Sequence, residues 1–301
     1  MRLITRADFD GLACGAVLEA AGVIDEWLFV HPKDIQDGLI EATKNDVVAN
    51  VPYIKGCGLW FDHHSSEDER LGGKIQFTGV SKKSPSCVRV IYEYYGGDAK
   101  LAKFKDMVQA ADKMDSANLT VEEIQNPQGW VMLGFIADPR TGLGRFRNFT
   151  ISNLDLMKKL AHSTLSLPVE QILELPDVKE RIEIYNQEKE PYIKMIKEKS
   201  RTEGNAIVVD LRGVDEIHAG NRFLLYTLFP KQNISIFIVD GKKKVNCVIT
   251  TGYSILNKTA SVDVGALMLK YGGGGHKQVG TCQVSATEAD RIINEILSII
   301  K

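Results

Sequence analysis

The feature that most constrains this chain is its opening: an apolar, strand-like stretch runs straight into an acidic turn and then into a helix. The first eleven residues read MRLITRADFDG, with the strand over residues 1–5 and a polar turn over 6–11, and a helical pattern follows at 12–21. The alternation then repeats, with a strand at 26–30, a helix at 32–42 and strands at 46–49 and 58–61. Strands that alternate with helices predict an α/β domain built on a parallel sheet with helices on both faces. Open sheets of this kind bind ligands just beyond the carboxyl ends of their strands. Asp8, Asp10, Asn50 and the run Asp62, His63 and His64 all fall at such ends.

Further along, residues 85–95 and 100–112 read as helices, and 118–166 as helices broken by loops, with Pro127 and Pro139 among the breaks. Residues 176–203 are rich in Glu and Lys and place Ile182, Tyr185, Ile193 and Ile196 at helical spacing, which predicts a long exposed helix joining two domains. Strands at 206–211, 235–240 and 245–250, a helix at 262–271, a strand at 281–284 and a last helix from 287 predict a smaller α/β domain. The expected organisation is therefore a first domain at 1–175, a helical connector at 176–203 and a second domain at 204–301.

Composition excludes several classes. A net charge of −2 gives no global basic field for long duplex nucleic acid, so any anion recognition must be local. Five scattered cysteines without a CxxC spacing argue for reduced, mostly buried thiols rather than a disulfide framework or zinc ribbon. Arg6, Asp8 and Asp10 interrupt the N-terminal apolar stretch, and no segment approaches the ~20 apolar residues that span a bilayer, so a cytoplasmic, non-membrane location is expected.

Three groups of residues carry chemistry. Asp8 and Asp10, two apart at a strand end with Gly11 to let the backbone bend, can both turn toward one cation, although an isolated pair of this kind also reads as a capped acidic turn. Asp62, His63 and His64 mix carboxylate and imidazole, a combination suited to manganese, cobalt, iron or zinc rather than calcium. Gly272, Gly273, Gly274, Gly275 and His276 can expose successive backbone N–H groups to one anion, with a helix C-cap as the plainer reading. Arg140, Arg145 and Arg147 form a cluster that serves equally as a phosphate grip or as a solvated loop.

Taken in order, Asp8-Phe9-Asp10-Gly11, the Asp62-His63-His64 triplet, Asp112 near a helix end and the GGGGH run resemble the DHH phosphoesterase superfamily with its C-terminal DHHA1 domain, over nearly the whole chain. The resemblance implies a metal-dependent phosphohydrolase, with exopolyphosphatases, oligoribonucleases acting on nanoRNA and cyclic-dinucleotide phosphodiesterases among its members. It implies Mn2+, one or two ions, with Mg2+ or Co2+ as alternatives. Asp8 and Asp10 would bind two different ions, Asn50, Asp62, His63 and Asp112 or Asp115 would belong to the metal set, and Asp10, His63 and His64 would be catalytic. His64, Arg140, Arg145, Gly273, Gly274, Gly275 and His276 would contact substrate. Two positions depart from the pattern: Ile4 stands where a ligand histidine is usual, and Asn50 where a bridging aspartate is usual, which leaves one ion poorly held.

The leading expectation is hydrolysis of polyphosphate, a pyrophosphate-like compound or a short oligonucleotide; the resemblance admits a homodimer, for which the sequence itself shows no interface. A nanoRNA or cyclic-dinucleotide phosphodiesterase is the alternative within the same chemistry. From a different class comes a noncatalytic phosphate or nucleotide binder that kept the fold; Ile4 and Asn50 favour it, and the intact Asp8, Asp10, His63 and His64 oppose it.

Overall fold

The N-terminal alternation folds as its apolar runs dictate. In β1 (Arg2–Arg6) the central Leu3, Ile4 and Thr5 are wholly buried, and every residue of β3 (Asp46–Ala49) is buried too, as strands covered on both faces require. The computed structural model describes residues 1–64, 75–241 and 244–300, which form two compact units: Met1–Leu119 with Asn126–Tyr185, and Thr120–Gln125 with Asn186–Lys301. With β2 (Glu26–Val30), β4 (Leu59–Asp62) and β5 (Gly79–Ser81), the first unit builds a five-stranded sheet in the order β2-β1-β3-β4-β5, every pair parallel. The chain runs from β1 outward to β2 and then returns to the other side of β1, so β1 and β3 flank a point where strand order reverses. The carboxyl ends of β1, β3 and β4 are neighbours there, which gathers Asp8, Asn50, Asp62 and His63.

Helix α1 (Phe9–Ala20) is buried from Phe9 to Leu18 and starts at Asp8, whose carboxylate accepts a hydrogen bond from the Gly11 N–H at 3.0 Å. Gly11 is required sterically: a Cβ there would lie 2.1 Å from the Arg6 carbonyl oxygen. Helix α2 (Pro32–Gln36) stops well short of residue 42, because Gly38 takes φ +73°, a left-handed turn that ends a helix. His31 caps this helix by accepting from the Lys33 N–H, so it serves as a local cap. The rest of the unit is helical: α3 (Cys87–Tyr94), α4 (Asp98–Leu101), α5 (Lys105–Asp115), then, beyond α6 (Val121–Gln125) of the second unit, α7 (Gly129–Ala137), α8 (Asn153–Ser166), α9 (Val169–Leu173) and the first half of α10 (Pro176–Lys199).

The second unit holds a six-stranded sheet in the order β10-β11-β9-β8-β7-β6, formed by β6 (Ser200–Glu203), β7 (Ala206–Asp210), β8 (Ile234–Asp240), β9 (Asn246–Tyr253), β10 (Gly274–His276) and β11 (Val279–Ser285). Only β7 and β8 pair in parallel. The unit also carries α11 (Leu224–Leu228), and its core joins Ile236, Ile249 and Cys282 to Met268 of α12 (Val264–Leu269) and to Ile293 and Ile296 of α13 (Ala289–Ile300). The architecture is the α/β one expected, with a parallel first sheet and a smaller second α/β unit. Among the described residues no helix is long and apolar enough to cross a membrane.

Candidate active site

Three side chains from three elements converge at the carboxyl edge of the first sheet. Asp10 comes from the first turn of α1, His63 from the residue after β4, and Asp115 from the last residue of α5; one ligand atom from each lies within 4.8 Å of the others. His63 Nδ1 stands 3.1 Å from the Ser84 carbonyl oxygen, which can only accept, so the ring proton sits on Nδ1 and Nε2 presents its lone pair. That Nε2 is buried and makes no hydrogen bond, although Asp115 Oδ2 is 3.1 Å away and Asp10 Oδ2 3.8 Å away. An acceptor nitrogen facing two carboxylates is a poor hydrogen-bond arrangement and a good ligand set for a divalent cation.

Asp10 is fixed before any ion arrives. Its oxygens accept from the N–H groups of Cys87 and Val88, each at 2.9 Å, so it also caps α3 and meets the positive end of that helix. Burial and then the charge of Asp115 nevertheless push its carboxyl up to about 7, against the pull of His63. The cluster thus carries excess negative charge that a cation would relieve.

Asp8 is satisfied differently. Its Oδ1 accepts from the Gly11 N–H at 3.0 Å and from Asn50 Nδ2 at 3.1 Å, and its Oδ2 pairs with Arg6 Nε at 3.0 Å. Burial raises its pKa, and Arg6 is the chief opposing influence. Ile4 is wholly buried in the sheet core with Val48 and Trp60. Asn50 takes the left-handed φ of +57°, which asparagine tolerates, and turns its amide nitrogen to the carboxylate. Residues around Asp8 therefore offer protein donors where a second ion would need acceptors, and they do not fit such an ion.

Asp62 lies wholly buried, with Oδ1 2.8 Å from His64 Nδ1 and Oδ2 lacking a partner. Burial works to lower the His64 pKa, but the hydrogen bond and charge of Asp62, helped by Asp115 and Asp10, raise it to about 9 in the metal-free protein. The two assignments left open for the helical acid separate cleanly. Asp112 accepts from Ser86 Oγ at 2.6 Å and from Arg89 Nε at 3.0 Å, tying α5 to the start of α3, while Asp115, one turn on, faces His63. Asp112 is thus outside the metal-competent group, its oxygens engaged by Arg89 and Ser86.

Arg140 is anchored through Nε to Asp138 at 2.8 Å, and its pKa, which burial alone would lower, is raised by Asp138 and by Asp8 and Asp115. It therefore belongs to the electrostatic surroundings of the site. Arg145 folds back on Gly142, where a Cβ would lie 2.1 Å from its Nη2. The glycine run sits in the second unit and is partly structural. The N–H groups of Gly272 and Gly273 close the end of α12 on the carbonyls of Leu269 and Met268, and Gly274, Gly275 and His276 form strand β10 against β11. A Cβ on Gly273 or Gly275 would lie 2.1 or 2.2 Å from a β11 carbonyl oxygen. A cradle of four free N–H groups is not formed, because two of them are spent on the helix end. Arg6 and Arg89 were not singled out by the sequence pattern; the one available signal was the position of Arg6 two residues before Asp8.

The sequence matches no protein-family model and no curated protein. Among solved structures, the pGpG-specific phosphodiesterase PggH from Vibrio cholerae is 40% identical, with a TM-score of 0.86 over 99% of this chain and 98% of that one. An exopolyphosphatase-related protein from Bacteroides fragilis is 11% identical with a TM-score of 0.53, covering 99% of this chain and 91% of that one. RecJ from Thermus thermophilus in complex with Mn2+ is 13% identical with a TM-score of 0.54, covering 99% of this chain and 52% of that one. The last two likenesses show the fold alone. Identity of 40% along the full length, on a chain that carries the DxDG, Asp-His-His and GGGGH motifs in order, leads to one family: this chain belongs to the DHH phosphoesterase superfamily of metal-dependent phosphohydrolases.

Proposed function

We propose that this chain hydrolyses the phosphodiester bond of pGpG or a closely similar linear, 5′-phosphorylated dinucleotide. Water adds across the P–O3′ bond, the 5′-phosphorylated nucleotide leaves with its 3′ hydroxyl restored, and two nucleoside 5′-monophosphates result. The observation that carries the substrate is the 40% identity over nearly the full length with a pGpG-specific phosphodiesterase. A polyphosphate substrate has weaker support, since the exopolyphosphatase-related structure is only 11% identical.

Asp10, His63 and Asp115 would hold one divalent ion, for which we propose Mn2+; RecJ has been solved with Mn2+ and with Mg2+. Such an ion supplies Lewis-acid charge and acidifies a water molecule. The chain's own residues set the stage for it. Ser84 fixes the His63 tautomer and the amides of Cys87 and Val88 orient Asp10, so two of the three ligands are held without rearrangement. His64, kept protonated by Asp62, brings a positive charge to the non-bridging phosphate oxygens, and Arg140 brings a second.

The test is a substrate panel. Metal-free protein supplied with Mn2+ is incubated with pGpG, another 5′-phosphorylated dinucleotide, pyrophosphate and polyphosphate, and products are separated by chromatography. The proposal expects GMP from pGpG and none in EDTA. Orthophosphate from polyphosphate with pGpG left intact would replace it with the polyphosphatase reading.

A further inference from the structure

We propose that the guanidinium of Arg6 stands where a second cation would otherwise be needed, so that the site works with one divalent ion and Arg6 binds a phosphate group of the substrate. The inference deepens the phosphoesterase reading and rests on it only for the turnover arm of the test below.

The two acidic positions of the N-terminal turn have opposite needs. Asp8 is buried, and a buried carboxylate persists only if its charge is compensated and its lone pairs are occupied. Two hydrogen-bond donors, the Gly11 N–H and Asn50 Nδ2, together with an ion pair from Arg6, do this. The orientation of Asn50 is dictated by its neighbour, because turning the carbonyl oxygen toward Asp8 Oδ1 at 3.1 Å would set two acceptors against each other. Its donor end excludes a cation from that approach. Ile4, next in line on β1, offers no donor atom and is packed in the core. Asp10, by contrast, shares its surroundings with an unbonded imidazole nitrogen and a second carboxylate, and lacks a guanidinium partner among the described residues.

Arg6 has capacity left over. Beyond Asp8 it has no side-chain partner among the described residues, and its side chain is 35% exposed, so the guanidinium has donors left for a ligand. A guanidinium whose terminal nitrogens are uncommitted can present them as a fork that matches two oxygens of a phosphate. Arg140 sets its Nε on Asp138 by hydrogen bonds, and Asp8 feels the charge of both arginines. Two arginines, each paired with an aspartate and both felt electrostatically by Asp8, make a receptor for phosphate oxygens beside Asp8.

The experiment counts ions and measures phosphate affinity in separate arms. Metal-free parent, Arg6→Ala and Arg6→Lys are titrated calorimetrically with Mn2+, and the Mn2+-loaded proteins are then titrated with inorganic phosphate and assayed on pGpG. The proposal expects one Mn2+ per chain in the parent and in Arg6→Lys, with phosphate affinity and turnover reduced about ten- to a hundredfold in both variants, as for loss of a charge-assisted pair. Arg6→Lys keeps the charge beside buried Asp8, so it stays folded even where Arg6→Ala does not, and it isolates the fork. Two Mn2+ per parent chain, or unchanged phosphate affinity in Arg6→Lys, would overturn the proposal. A parent that binds one ion and loses phosphate affinity in Arg6→Lys, yet leaves pGpG intact, would sink the substrate reading and leave Arg6 in its role.

Discussion

Asp112 and Asp115 lie three residues apart on one helix, yet the structure predicts that neutralising them moves stability and metal binding in opposite directions. Asp115→Asn removes a charge that lies within 4.8 Å of the ligand atoms of Asp10 and His63. Two unit charges at that separation repel by roughly 3.5 kcal/mol at an effective dielectric of 20. Asp115 is 29% exposed and Asp10 is partly protonated near pH 7, so about 1 kcal/mol is the realistic relief in metal-free protein. For a chain of this length that raises Tm by about 2 °C. Asp112→Asn instead strips Arg89 of its carboxylate partner and loosens the α3–α5 junction, costing about 1–3 kcal/mol. Differential scanning calorimetry in EDTA and then in Mn2+ reads both effects. A ligand present at a hundred times its Kd stabilises by about 2.7 kcal/mol. Parent and Asp112→Asn should gain this increment, Asp112→Asn from a lower baseline, whereas Asp115→Asn should start higher and gain little. If Asp112→Asn lost the Mn2+ increment while Asp115→Asn kept it, the assignment of Asp115 to the metal group would be wrong.

Other substitutions test other parts of the account. Asn50→Asp places a carboxylate against Asp8 Oδ1 in a buried site, and should lower Tm in EDTA by several degrees; an unchanged Tm would mean that the Asn50–Asp8 hydrogen bond is not made in solution. Gly273→Ala meets the Thr281 carbonyl oxygen at 2.1 Å and should destabilise the second unit while leaving the Mn2+ count per chain at its parent value, as proteolysis with metal analysis would reveal. Asp46 is held by Arg2 Nε at 2.7 Å and by Thr43; burial pushes its carboxyl up, but these partners outweigh that push and hold it below the usual carboxylate range. A depressed folded pKa gives stability that is complete above the unfolded pKa and is lost as pH falls through the folded one. Asp46→Asn should therefore destabilise the fold at pH 7, and the gap from the parent in urea unfolding should narrow as pH falls through and below the ordinary carboxylate range. A gap constant down to pH 2 would exclude the charged interaction as its origin.

How far the sequence could be read depended on whether the deciding force was local. Strand β2 and strand β3 were legible to the residue, because each is a short β-prone run closed by turn signals. The convergence of Asp8, Asn50 and Asp62 followed from the βα alternation alone. Strands β5 and β10 were not legible: Gly79, Val80 and Ser81 become a strand because they pair with Trp60, Phe61 and Asp62, and Gly274 to His276 because they pair with β11. The choice between Asp112 and Asp115 was likewise hidden, since both point from the end of α5 and only the position of Arg89 decides which is free to face His63. Arg6 was read as part of a polar turn. Its pairing with Asp8 depends on how the turn after β1 folds back over Gly11, which no spacing rule encodes.

The central claim is that a divalent ion held by Asp10, His63 and Asp115 drives phosphodiester hydrolysis, and the most direct measurement is GMP formation from pGpG by metal-free protein as Mn2+ is returned, in parent and His63→Ala side by side. The account predicts no GMP before metal is added, recovery in the parent, and a loss of at least a hundredfold in His63→Ala at every Mn2+ concentration. GMP formation in EDTA, or equal recovery in His63→Ala, would contradict it.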